Sequence, residues 1–110
     1  MKTFALTAQL RPDRAAIDEY EALHADVWQE VIADNADAGV RALWIYRDGT
    51  QLIMVVQAAD SFELDDWGSF FSNPRTLEWQ KLTDPLLLPD PSAVLGSSWR
   101  QLMEICRIAP

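Results

Sequence analysis

ALWIYRDGTQLIMVV, residues 42 to 56, places two runs of apolar, β-branched and aromatic residues on either side of Asp48-Gly49. Aspartate and glycine both tolerate positive φ, so the pair marks a tight reversal between two strands. The stretch predicts an antiparallel hairpin in the middle of the chain. Its second run, LIMVV, shows little alternation and predicts a strand covered on both faces.

Upstream, TFALTAQL (residues 3 to 10) sets Phe4, Leu6, Ala8 and Leu10 on one side, the period of a strand. Arg11-Pro12-Asp13 breaks it, and Asp13 is suited to cap a helix. From there to Gly39 the pattern is helical. Ile17, Tyr20, His24, Val27, Trp28 and Val31 recur at three- and four-residue steps and predict one long helix, with Gly39 as its stop.

Downstream, residues 60 to 87 read as a helix ending near residue 70, a break at Ser72-Asn73-Pro74, and a short second helix. Residues 85 to 98 carry Pro85, Pro89, Pro91 and Gly96 and predict a long ordered loop. SWRQLMEICRI, residues 98 to 108, predicts a closing strand in which Cys106 is a small buried apolar residue.

Strand, long helix, hairpin, helices and strand is an α+β order of the ferredoxin-like sort, an antiparallel sheet with its helices on one face. A chain of 110 residues carries one core, so residues 1 to 110 are expected to form a single domain. The other sheet face then needs a cover that this chain cannot supply. A second copy supplies it, which predicts a homodimer.

The net charge of −8, with nine Lys and Arg scattered singly, argues against nucleic acid and anionic membranes as partners. A single cysteine excludes an intrachain disulfide, and no Cys/His zinc spacing is present. Thr7 and Gln9 interrupt the first apolar residues too early for a secretory segment. No run approaches the roughly 20 apolar residues of a membrane span. A soluble, cytoplasmic protein is expected.

His24 is the chain's one histidine. A histidine on an apolar helix face is most simply a core residue with its nitrogens satisfied. Tyr20, however, precedes it by one helical turn, so phenol and imidazole can share a cavity. Glu78-Trp79 offers a carboxylate beside an indole on another element. Imidazole, phenol, carboxylate and indole together suit a sugar, whose C–H patches stack on rings and whose hydroxyls meet polar tips. Against this stand the bland readings: tryptophans as core and interface, and Glu78 as a solvated helix residue. Spacing alone gives an aromatic pocket with one acid–base group and names no reaction.

The pattern E-Y-x-x-x-H-x-x-x-W-x-E-V, here Glu19, Tyr20, His24, Trp28, Glu30 and Val31, resembles the L-rhamnose mutarotase family. The likeness continues through G-V-R-A-L-W-I-Y-R-D-G, N-P-R-T-L-E-W and the closing W-x-x-x-M-E-I. It implies a small dimeric α+β barrel that interconverts the anomers of a deoxyhexose by acid–base ring opening and reclosure. Glu78-Trp79, where rhamnose enzymes carry an aromatic pair, and Leu43, where they carry a tyrosine, resemble the L-fucose branch more than the L-rhamnose one. The resemblance implies His24 as proton donor and Tyr20 and Trp79 as sugar contacts. Glu78 joins them as a substrate-binding residue because it occupies the position of a sugar-contacting tryptophan. The second acid–base group is left between Glu78 and Tyr20. No metal or cofactor is implied, and the expected partners are a monosaccharide and a second copy of the chain. A cofactor-free oxygenase and a non-catalytic sugar-binding module on the same fold are the other readings.

Overall fold

The computed structural model describes residues 1 to 70 and 73 to 109. The elements are β1 (Lys2–Gln9), α1 (Arg14–Ala25), α2 (Gln29–Ala38), β2 (Val40–Asp48), β3 (Gln51–Ala58), a 3-10 segment (Leu64–Phe70), α3 (Pro74–Thr83), a 3-10 turn (Asp84–Leu86) and β4 (Arg100–Gln101). The strands form one antiparallel sheet in the order β2-β3-β1-β4. This is the ferredoxin-like α+β plan.

The hairpin forms where expected, with a refinement in its turn. Asp48 pairs with Gln51, so Gly49 and Thr50 make the reversal. Gly49 alone takes a positive φ, +60°. A glycine at the first of the two turn positions is the II′ arrangement, whose twist matches that of the strands.

Leu52, Met54, Val56 and Ala58 of β3 point inward, opposite Ala8, Leu6, Phe4 and Lys2 of β1. Leu6, Leu52 and Val56 are fully buried there, under Tyr20 of α1 and Ala38 of α2. The alternate residues Ile53, Val55 and Gln57 are only half-buried, so this chain covers β3 on one face, not both. The outward face also carries Trp44 opposite Val55 and Tyr46 opposite Ile53, 41% and 60% exposed.

The single long helix expected up to Gly39 is two helices. α1 starts as predicted, Asp13 Oδ1 accepting from the Ala16 N–H at 2.8 Å. It stops at Asp26 (φ −145°), and Trp28 is extended (φ −61°, ψ 140°) before α2 begins. No glycine or proline marks the break. Tertiary packing overrides the pattern: the Trp28 indole meets the Trp79 ring edge-on at 5.2 Å, and the Arg75 guanidinium lies 3.9 Å from its ring centre. α2 ends at Gly39, whose φ of +103° places it in the left-handed cap, its N–H bonded to the Ala36 and Asn35 carbonyls.

The helix expected to residue 70 is a tighter 3-10 segment. Side chains three apart eclipse in that geometry, and Leu64 and Trp67 are both buried on the sheet side. Of the expected break, Ser72 lies outside the described residues, while Asn73 caps α3 through Oδ1, accepting from the Arg75 N–H. The loop after α3 is tied down by backbone bonds: Leu88 N–H to the Gln9 carbonyl and Val94 N–H to the Trp99 carbonyl.

The closing strand is shorter than expected. Arg100 and Gln101 pair with β1, and Leu102 N–H reaches the Ala5 carbonyl. Residues 102 to 109 carry no further ladder within the chain, Met103, Ile105 and Ile108 are at least 86% exposed, and Cys106 is exposed instead of buried. A strand pattern needs a neighbouring strand to pair with, and this segment extends past the sheet its own chain provides. Among the described residues no helix is long and apolar enough to cross a membrane.

Candidate active site

A cleft of about 650 Å³ opens between the helices and the inner sheet face. α1 contributes Tyr20 and His24, β2 contributes Leu43 and Ile45, and α3 contributes Thr76 and Trp79. Asp84, at the start of the 3-10 turn, and Leu95, Gly96 and Trp99 from the following strap complete the wall. The volume lies within the ordinary range for small-molecule sites.

His24 is held from three sides. Its ring stacks on Tyr20 with centroids 4.2 Å apart and planes at 24°, and meets Trp79 edge-on at 5.1 Å. Nδ1 lies 2.7 Å from the Tyr20 backbone carbonyl. A carbonyl oxygen only accepts, so Nδ1 donates, and Nε2 is left as the basic atom of the neutral ring. Burial lowers the His24 pKa below the usual imidazole range, and the bond to the Tyr20 carbonyl opposes that in part. The resting ring is therefore a neutral base at pH 7.

Tyr20 is 4% exposed. Burial, aided by the negative charge of Asp84, pushes its phenol well above the ordinary range, so it stays protonated and acts as a hydrogen-bonding group. Asp84 is itself raised, by burial. Thr76 is 1% exposed, and its Oγ1 has no hydrogen-bond partner among the described residues.

The structure thus brings Tyr20, His24 and Trp79 together on one cleft. It does not bring Glu78 there. Glu78 precedes Trp79 by one residue, about 100° around α3, and its carboxylate is exposed and bonded to Arg75 Nη1 at 2.8 Å. Trp44 and Tyr46 are on the outer sheet face, while Leu43 and Ile45 look into the cleft. Thr76, Asp84 and Gly96 were not picked out from the sequence. Thr76 and Asp84 read as ordinary helix and turn residues, and Gly96 as loop. The contact that unites Asp84 and Gly96 spans twelve positions with no periodicity to signal it. Among the described residues no group of three His, Cys, Asp or Glu side chains is placed to hold a metal ion.

The L-rhamnose mutarotase family model matches residues 3–108, nearly the whole chain. The chain belongs to that family. An L-fucose mutarotase of Xanthomonas campestris pv. campestris is 29% identical over 108 residues, covering 92% of this chain and 83% of the relative. The crystal structure of an L-rhamnose mutarotase from Formosa agariphila superposes with a TM-score of 0.72 at 17% identity, covering 99% of this chain and all of that one. Tetracenomycin F2 cyclase from Streptomyces glaucescens superposes at 0.67 with 18% identity, covering both chains in full. At such identities the two structures speak for the fold, and the family match for sugar mutarotation.

Proposed function

We propose that this mutarotase interconverts the α and β anomers of L-fucose, with His24 transferring protons and Tyr20 and Trp79 contacting the sugar. The observation that carries the reading is the state of His24, a neutral imidazole fixed through Nδ1 with Nε2 available in an aromatic-walled cleft. Mutarotation needs a proton taken from the anomeric hydroxyl and one given to the ring oxygen, and the reverse on closure. An imidazole serves either role near neutrality, worth roughly 10²- to 10⁴-fold. Leu43 on the cleft wall favours L-fucose over L-rhamnose, because an apolar side chain offers no hydroxyl partner at that position.

The same reading includes a homodimer. The outward sheet face with Ile53, Val55, Trp44 and Tyr46, and the exposed apolar residues of 102 to 109, are surfaces that a second copy can bury. Light scattering at micromolar concentration is expected to give twice the 12.5 kDa chain mass. The test of the activity is anomer exchange by saturation-transfer NMR, with L-fucose and L-rhamnose compared at equal concentration. Faster exchange of L-fucose supports the proposal. Faster exchange of L-rhamnose overturns the substrate assignment, and exchange of neither sugar overturns the activity.

A further inference from the structure

Ring opening needs two proton-transfer groups, and His24 is one. Among the described residues, the ionisable side chains on the cleft wall are Tyr20, His24, Arg41 and Asp84. Arg41 carries a guanidinium, which has donors and no acceptor, and so cannot take up a proton. Tyr20 holds its phenol proton too firmly to give it up near neutrality. Glu78 is outside the cleft and engaged with Arg75. Asp84 is left.

We propose that Asp84 is the second proton-transfer group of this cleft, acting on the anomeric hydroxyl while His24 serves the ring oxygen. The assignment rests on the mutarotase reading. Its support is geometric. Asp84 begins the turn directly after α3, so its backbone is set by the helix end, its N–H bonded to the Gln80 carbonyl. The strap then packs Gly96 against the carboxyl group. A Cβ at position 96 would lie 3.1 Å from Oδ1, 3.6 Å from Oδ2 and 3.8 Å from Cγ. The missing side chain at Gly96 is therefore what leaves room for the carboxylate. Yet none of the described residues hydrogen-bonds or ion-pairs with that carboxylate, although it is partly withdrawn from water. A half-buried acceptor without a donor, on the wall of a ligand cleft, is suited to a ligand hydroxyl.

The chemistry balances within the pair. The Asp84 carboxylate takes the O1–H proton, the C1–O1 double bond forms, and the bond between C1 and the ring oxygen breaks with its electron pair on that oxygen. His24, neutral at rest, first takes a proton from water at Nε2, and the imidazolium so formed delivers it there. After rotation about C1–C2, the ring hydroxyl adds to the opposite face of the aldehyde, returning its proton to His24, and Asp84 gives its proton back to O1. No proton is gained or lost over the cycle. Burial lowers the proton affinity of His24 and raises that of Asp84, which narrows the gap between the two groups.

The experiment is L-fucose anomer exchange and sugar affinity, by NMR and calorimetry, for wild type, Asp84→Asn and Asp84→Ala. Asp84→Asn keeps the shape and removes the proton chemistry. It is expected to lower exchange by about 100-fold while the affinity for L-fucose stays close to wild type. Added formate is expected to restore part of the exchange in Asp84→Ala, and this arm decides the matter if Asp84→Asn does not fold. Wild-type exchange in Asp84→Asn, parallel loss of exchange and affinity, or no rescue by formate each overturns the assignment. A wild-type protein that exchanges neither L-fucose nor L-rhamnose overturns the mutarotase reading itself, a failure seen before any variant is compared.

Discussion

Thr76→Val tests the cleft wall through stability and binding together. Thr76 is the third residue of α3, 1% exposed, and its Oγ1 is shielded from water with no partner among the described residues. A buried hydroxyl left unsatisfied costs about 1–3 kcal/mol. Valine has nearly the same shape, is β-branched like threonine, and carries no polar atom to leave unpaired. The substitution is therefore expected to stabilise the free protein by about 1 kcal/mol or more, raising Tm by about 4 °C or more for a chain this size. Thr76 lines the cleft, but the same oxygen is shielded from water, so Thr76→Val is expected to bind L-fucose about as well as wild type. Thermal unfolding followed by circular dichroism, with and without L-fucose, reads both effects. A variant that melts lower than wild type without sugar shows that the hydroxyl is satisfied in solution, and the reasoning fails.

Gly96→Ala places a non-glycine residue at φ +59° and pushes its Cβ to 3.1 Å from Asp84 Oδ1, so it is expected to cost about 1–2 kcal/mol from backbone conformation alone. Unfolding in urea should show this loss, and adding Asp84→Ala should recover the crowding part but not the backbone part; an unchanged midpoint for Gly96→Ala contradicts the strap geometry. The depressed pKa of His24 means that the unfolded chain binds the proton more readily than the native one. Its contribution to stability is thus fully present above about pH 6.5 and lost as pH falls through the lower native value. Tyr20 stays neutral over this range, and Asp84, raised by burial, contributes with the opposite sign. The difference between wild type and His24→Gln isolates the histidine: wild type should lose more stability on acidification from pH 7, and equal acid limbs would show an imidazole that is not desolvated.

How much of this was legible in sequence follows the range of the interactions. Local chemistry was readable: the Asp13 cap, the Gly39 stop and the hairpin at Asp48-Gly49 depend on neighbours within a few residues. Periodicity placed the Tyr20 and His24 side chains on one face, because two residues four apart on a helix must share it. It read straight through Trp28, whose helix break is set by Trp79 and Arg75, some fifty positions away. The final segment has strand composition, yet only Arg100 and Gln101 find a partner strand in their own chain. Glu78 and Trp79 are adjacent in sequence, and only the orientation of α3 separates the exposed carboxylate from the indole on the cleft wall. Asp84 and Gly96 became visible as a pair once the strap folded back over the end of α3.

The central claim is that His24 moves the protons of anomer exchange. The direct measurement is the rate of α/β interconversion of L-fucose by saturation-transfer NMR at pH 7, for wild type and His24→Gln, with sugar affinity and native mass checked on the same samples. Glutamine retains hydrogen-bonding groups and cannot titrate near neutrality. The account predicts that His24→Gln stays folded, binds L-fucose, and loses about 100-fold or more of the catalysed rate. Exchange by His24→Gln as fast as wild type would contradict it and leave His24 as a packed ring between Tyr20 and Trp79.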